Sequence, residues 1–110
     1  MAAKPMTDAA LLTWAVDRVV QAVRPLKVIL FGSRARGDAR PDSDLDLLVV
    51  LPEAPDKRRT AIDLRRLLRD LPVGKDILVT TPDEITRRSE LPGSLLRAAL
   101  QEGRVVFERD

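Results

Sequence analysis

The residues best suited to chemistry lie between Gly32 and Asp46. A Gly-Ser pair, Gly32 and Ser33, directly follows an apolar run, and Asp44 and Asp46 then alternate with leucines. Because side chains alternate across a strand, both aspartates are predicted to lie on one strand face, about 7 Å apart. Buried carboxylates are costly unless a positive partner neutralises them. The pair therefore predicts a site for one or two divalent cations, and Mg²⁺ is the expected ion because it prefers oxygen ligands and binds substrate phosphates.

A third acid, Asp76, begins the next predicted strand after an intervening helix. We expect it to lie beside Asp44 and Asp46, where it could complete a two-metal clamp or accept the proton of an attacking hydroxyl. The chain contains no histidine, so a carboxylate is the expected general base. Each acid alone has a simpler explanation as an exposed strand end, but their order and spacing together favour phosphate chemistry.

The Gly32–Ser33 turn is the predicted phosphate-binding segment. Glycine allows a tight turn and close backbone approach, while the serine hydroxyl and nearby N–H groups can bind phosphate oxygens. Arginines follow at once, and any of Arg34, Arg36 and Arg40 could neutralise a triphosphate or a pyrophosphate leaving group. The sequence does not choose among the three.

Helices and strands that must position these residues alternate along the chain. Apolar residues spaced three and four apart predict amphipathic helices over 8–24 and 55–71. Short aliphatic and β-branched runs predict strands over 26–31, 44–51 and 76–81.

Thr81-Pro82-Asp83-Glu84 predicts a capped helix start in the last part of the chain. That helix is expected to break at 92–93, to reach Gln101 and to end at a Gly103 cap, before a short edge strand over 105–107. This order of elements predicts an α/β (α+β) fold, with a small mixed sheet and helices mainly on one face.

Composition limits the possible functions. The 110 residues are 45% hydrophobic and 33% charged, which predicts one globular domain over 1–110. The net charge of +2 and only 3% aromatic residues argue against a dedicated nucleic-acid binder. The absence of cysteine excludes disulfides and thiolate metal sites. No apolar run approaches the roughly 20 residues of a membrane span, and no targeting segment is seen at the start, so we expect a cytoplasmic protein.

The motif Gly32-Ser33, Arg36-Gly37 and Ser43-Asp44-Leu45-Asp46-Leu47, followed by Asp76, closely resembles the DNA polymerase β-type nucleotidyltransferase superfamily. The run Gly-Ser-x-Ala-Arg-Gly is most similar to minimal nucleotidyltransferases, often encoded beside a helical HEPN partner. The resemblance covers about 28–107 and implies the polymerase β-type nucleotidyltransferase fold. It also implies that Asp44, Asp46 and Asp76 are metal-binding and catalytic, and that Gly32 and Ser33 hold the nucleotide phosphates.

The resemblance implies that an acceptor hydroxyl attacks the α-phosphorus of a nucleoside triphosphate, with ATP and Mg²⁺ expected. Larger relatives carry a second domain, so we expect a partner chain, a HEPN-type toxin, to complete the site. The leading hypothesis is AMP transfer to that toxin by an antitoxin. The alternative is a non-catalytic antitoxin that neutralises by binding alone. Transfer to a small molecule such as an aminoglycoside ranks third, and nucleic-acid binding ranks last.

Overall fold

The computed structural model describes residues 8–88 and 94–109. These residues form helices and strands in the order α1 (Asp8–Val23), β1 (Lys27–Phe31), α2 (Ser33–Arg36), β2 (Leu45–Val50), α3 (Lys57–Leu67), β3 (Lys75–Thr80), α4 (Pro82–Arg88), α5 (Leu95–Glu102) and β4 (Arg104–Glu108).

The strands form one mixed sheet in the order β3-β2-β1-β4. β1 pairs antiparallel with both β2 and β4, whereas β2 and β3 are parallel neighbours joined through α3. A parallel pair needs such a crossover, since a tight turn can only reverse the chain. The mixed sheet and the edge position of β4 confirm the predicted fold class.

Strand alternation divides the core between the two faces of the sheet. Leu45, Leu47 and Val49 of β2 belong to the larger apolar cluster, with residues of α1 and α3. Leu48 and Val50 point to the opposite face and belong to a smaller cluster with Leu96 and Ala99 of α5. Most of the core therefore lies under α1 and α3, while α5 covers part of the second face.

Helix boundaries differ from the predictions by a few residues, for local reasons. α1 ends at Val23 because Arg24 adopts a left-handed conformation (φ 47°) before Pro25. α3 begins after Asp56, whose carboxylate accepts a hydrogen bond from the Arg59 N–H at 3.0 Å. Such N-caps satisfy donors that have no partner inside the helix.

The predicted capped helix start at Thr81 is present in part. The Thr81 hydroxyl accepts a hydrogen bond from the Glu84 N–H at 3.2 Å, as a capping box requires. The Glu84 carboxylate, however, contacts Lys57 and the Thr80 hydroxyl, so it links α4 to α3 and β3. The predicted break at 92–93 lies outside the described residues.

Gly103 ends α5 as predicted, but in an extended conformation (φ −74°). A Cβ at this position would collide with the Ala99 carbonyl oxygen and the Ile29 side chain. Glycine is required here by close packing between α5 and β1. Within the described ranges, no helix is long and apolar enough to cross a membrane.

Leu47 provides a test of the larger cluster. Its side chain is fully buried, whereas Leu95 is 52% exposed. We expect Leu47→Ala to lower the free energy of unfolding by about 2–5 kcal/mol, through lost burial and a residual cavity. Leu95→Ala, the same chemical change at an exposed position, should stay within about 0.5 kcal/mol of wild type. Urea unfolding measures both, and equal losses would contradict the described core.

Candidate active site

Pairing of β2 with β3 brings two of the predicted acids together. In the parallel register Asp46 lies opposite Asp76, and the Leu45 N–H donates to the Gly74 carbonyl at 2.8 Å. Asp44, one residue before β2, lies at the same end of the sheet beside Gly74. The acids lie on the rim of one cleft, as the sequence predicts.

The cleft encloses about 460 Å³ and has three walls. The acids and Ser43 form one side, and the turn that contains Gly32 and Ser33 forms a second. Helix α5 supplies the third, a wall absent from the sequence-based prediction: Leu95, Ala98 and Glu102.

These α5 residues were missed because nothing in their types signals chemistry. Leu95, Ala98 and Glu102 are spaced three and four apart, so they share one helix face. That spacing was visible in the sequence. Which face turns toward the cleft becomes clear only when Leu96 and Ala99 are seen packed on the sheet.

Gly32 is fixed by its backbone conformation and by its neighbour Asp46. Its φ of +74° lies in the region that favours glycine, and a Cβ would collide with the Oδ2 atom of Asp46. The contact arises because β1 and β2 pair with Phe31 opposite Asp46. The predicted turn and the second aspartate therefore touch directly.

The α2 turn after Gly32 leaves polar groups free to face the cleft. The Gly32 carbonyl accepts hydrogen bonds from the Ala35 and Arg36 N–H groups, both at 3.1 Å. Across the described ranges, the Ser33 hydroxyl has no hydrogen-bond partner, and Ser33 lines the cleft. An anion in the cleft could accept a hydrogen bond from this hydroxyl without displacing another contact.

Partial burial and electrostatic repulsion both disfavour the ionised form of Asp46. Partial burial raises the pKa of the Asp46 carboxyl, and the negative charges of Asp76 and Asp44 raise it further, while Arg36 and Arg34 act in the opposite direction. A charged group beside like charges is stabilised when a cation binds among them. The site is therefore electrostatically prepared for positive charge.

The donor set fits a hard divalent cation in its chemistry, because carboxylate oxygens are the ligands that Mg²⁺ prefers. Asp44, Asp46 and Asp76 would hold it. Within residues 8–88 and 94–109, no three acidic side chains lie close enough together to form a complete set of ligands for a metal ion. The cleft thus provides the ligands at the correct edge of the sheet but not a preassembled cage.

The two arginines predicted to bind phosphates differ in position. Arg36 lines the cleft and is 48% exposed, with ion pairs at 3.4 Å to both Asp38 and Glu102. Arg34 is not among the cleft-lining residues, and its nearly buried guanidinium is bound to Ser43, Pro41 and Asp8. Its placement does not support the predicted phosphate contact, because Arg34 would have to break these bonds to reach a ligand.

Gly32 and Gly37 form a matched pair for a test of the Asp46 contact. Both have positive φ, but a Cβ at Gly37 would meet no atom within 4 Å. Alanine at Gly37, which lies in the left-handed helical region, should cost about 1–2 kcal/mol of stability from the backbone conformation. The Gly32 conformation (φ 74°, ψ −158°) is essentially restricted to glycine, so alanine there should cost more, about 1–3 kcal/mol before any contact is counted. Only Gly32→Ala should also displace the Asp46 carboxylate. Calorimetric titration with Mn²⁺ should show weaker binding for Gly32→Ala than for Gly37→Ala, and equal affinities would contradict the contact.

The raised pKa of Asp46 predicts a pH-dependent effect on stability. A carboxyl whose pKa is higher in the folded protein destabilises the fold when ionised. Asp46→Asn should therefore raise the free energy of unfolding at pH 7 in metal-free buffer. The gain should shrink as the pH falls through the folded pKa of Asp46, and vanish below about 3.9, the ordinary aspartate value.

Glu84 provides a control of opposite sign. Burial opposes its ionisation, but hydrogen bonds from Lys57 and Thr80 together with the Lys57 charge outweigh burial, so the pKa of Glu84 is lowered. Glu84→Gln should reduce stability at pH 7, and the loss should disappear as the pH falls through that lowered pKa. Urea unfolding across this pH range measures both variants; shifts of the same sign would contradict the electrostatic assignment.

Known proteins resemble this chain over most of its length. The nucleotidyltransferase domain family matches residues 12–106. A Methanocaldococcus jannaschii protein named "Putative protein adenylyltransferase MJ1305" is 33% identical over 93 residues, covering 77% of this chain and 60% of that protein. A crystal structure of a "putative nucleotidyltransferase" from Sulfolobus solfataricus superposes with a TM-score of 0.56 at 25% identity, covering 90% of this chain and 78% of that one.

The chain thus spans about 60% of the length of its M. jannaschii relative. The family match includes the Gly32–Ser33 turn and all three acids of the cleft. This chain belongs to the nucleotidyltransferase domain family.

Proposed function

We propose that the chain is a Mg²⁺-dependent nucleotidyltransferase that transfers AMP from ATP to a hydroxyl of a partner protein. The observation that carries the proposal is the register of β2 and β3. Asp46 and Asp76 are direct neighbours, in one cleft with Asp44 and the Gly32–Ser33 turn. An acidic edge facing a free serine hydroxyl suits a ligand that brings both a cation and phosphates.

In this proposal Gly32 and Ser33 receive the triphosphate. Gly32 permits close backbone approach, and the Ser33 hydroxyl donates a hydrogen bond to a phosphate oxygen. Arg36, already in the cleft, exchanges its contacts with Asp38 and Glu102 for the leaving pyrophosphate. Positioning and charge stabilisation of this kind provide most of the catalysis in phosphoryl transfer.

The reaction forms a bond between the acceptor oxygen and the α-phosphorus of ATP and breaks the bond from that phosphorus to the bridging oxygen. Pyrophosphate leaves, and the hydroxyl proton passes to one of the cleft carboxylates, since the chain has no histidine. Mg²⁺ held by Asp44, Asp46 and Asp76 would supply charge neutralisation of the phosphates.

The protein acceptor has two lines of support. The M. jannaschii relative carries the name of a protein adenylyltransferase, and the Gly-Ser-x-Ala-Arg-Gly run resembles antitoxins paired with HEPN toxins. We therefore infer an antitoxin that modifies and neutralises a HEPN-type toxin.

The test uses ATP labelled at the α-phosphate or at the γ-phosphate, with Mg²⁺ and the product of the neighbouring gene as the partner protein. Wild-type protein should transfer the α-label alone to the partner, seen also as added AMP by intact-mass spectrometry. The double variant Asp44→Asn/Asp46→Asn should lose at least about 10³-fold in rate, since charge-stabilising groups typically contribute 10²–10³-fold each.

Asp17→Asn/Asp70→Asn is the matched control, because it removes the same charge from two exposed positions outside the cleft. It should transfer at the wild-type rate. Transfer of the γ-label would mean a kinase, which contradicts the proposal. A partner that binds wild-type and double-variant protein equally and gains no mass would contradict AMP transfer and favour neutralisation by contact instead.

A further inference from the structure

Arg34 has an environment unlike that of the other arginines beside the cleft. Its side chain is only 5% exposed, and arginines are seldom buried unless they are paired. Arg36, two residues later, is 48% exposed and lines the cleft. The burial of Arg34 therefore requires an explanation in terms of its partners.

Those partners are mainly backbone carbonyls of the loop 37–44, which joins α2 to β2. Nε and Nη2 of Arg34 both donate to the Ser43 carbonyl, at 3.2 and 2.7 Å. Nη2 also donates to the Pro41 carbonyl at 3.2 Å. Ser43 immediately precedes Asp44, so the guanidinium holds the backbone directly before the first acid of the cleft.

The same end of the loop is closed on itself around Ser43. Its N–H donates to the Arg40 carbonyl at 3.0 Å, and its hydroxyl accepts from the Arg40 N–H at 2.8 Å. This local turn fixes the shape of the loop end, but it does not attach the loop to the rest of the fold. Arg34 provides that attachment, because it extends from α2.

A fourth contact connects Arg34 to α1. Nη1 donates to the Asp8 carboxylate at 3.0 Å, but the Asp8 side chain is 81% exposed. Exposed ion pairs contribute little to stability. The bonds to Ser43 and Pro41 are therefore the contacts that matter for the loop.

We propose that Arg34 is a positioning residue that anchors the loop 37–44 and thereby fixes Asp44 next to Asp46, in place of binding phosphate itself. The consequence for ligand affinity rests on the proposed function; the anchoring of the loop does not. The planar guanidinium can direct two N–H groups at one carbonyl, whereas a lysine ammonium is a flexible point charge and cannot reproduce that fork.

Arg34→Lys is the informative variant, because it keeps the charge and removes the fork. In ligand-free protein, amide hydrogen exchange in the loop 37–44 should become about tenfold faster, and the ¹⁵N heteronuclear NOE of Asp44 should fall. Exchange in β1, β2 and α1 should not change. Calorimetric titration with Mn²⁺ and ATP should give about tenfold weaker binding, the loss typical when a group supporting a metal ligand is removed.

Arg58→Lys is the matched control, since Arg58 is exposed on α3 outside the cleft. It should match wild type in exchange, NOE and affinity. Arg34→Ala should show the same effects as Arg34→Lys. If the alanine variant does not fold, the Arg34→Lys results alone decide whether Arg34 anchors the loop.

Three results would overturn the proposal. Unchanged loop exchange in Arg34→Lys would mean that Arg34 does not anchor the loop. Faster exchange throughout the sheet would mean that Arg34 supports the whole fold. Faster loop exchange with wild-type affinity for Mn²⁺ and ATP would mean that anchoring of the loop does not affect ligand binding in the cleft. Failure of wild-type protein to bind Mn²⁺ and ATP would instead reject the proposed function, while exchange and NOE would still decide the anchoring.

Discussion

The register of the parallel pair β2–β3 is the constraint on which the site depends. A slip of one residue would turn Leu45, Leu47 and Val49 away from the core under α1 and α3. The same register sets Asp46 opposite Asp76. Burial of these apolar residues therefore provides the free energy that keeps two like charges side by side. The raised pKa of Asp46 reflects its partial burial first and the repulsion from Asp76 and Asp44 second.

The antiparallel pair β1–β2 adds the second half of the cleft. With Phe31 opposite Asp46, the chain must turn at Gly32 in direct contact with the Asp46 carboxylate. This arrangement leaves no room for a side chain at Gly32. A backbone that approaches the acids so closely can also approach a phosphate held there, which links the geometry of the turn to the proposed chemistry.

The strands were predicted well from the sequence because their apolar runs are short and bounded by turn residues. In β2 and β3, aspartates interrupt the apolar run only at its start. The sequence also predicted that Asp76 would lie next to Asp46, because a strand–helix–strand segment commonly forms a parallel pair. The roles assigned to the three acids and to Ser33 remain predictions. The ends of the helices were predicted less accurately. The Asp56 cap sets the start of α3 and the left-handed conformation of Arg24 sets the end of α1, and both depend on local backbone geometry.

Two features of the cleft could not be read from residue types. Arg34 and Arg36 are chemically identical and two positions apart, and only the path of the loop 37–44 decides that one is bound to carbonyls and the other faces the cleft. Likewise, the wall formed by Leu95, Ala98 and Glu102 depends on how α5 packs across the sheet. Both features arise from tertiary contacts between segments distant in sequence.

The central claim is that the acidic edge of the sheet and the Gly32–Ser33 turn bind one ligand together, a nucleoside triphosphate with its cation. A crystal structure with Mg²⁺ and α,β-methylene ATP, which cannot release pyrophosphate, tests this most directly. The account predicts a cation in contact with Asp44 and Asp46 and the triphosphate against Gly32 and Ser33. A nucleotide bound elsewhere, or bound in the cleft with no cation contacting these aspartates, would contradict it.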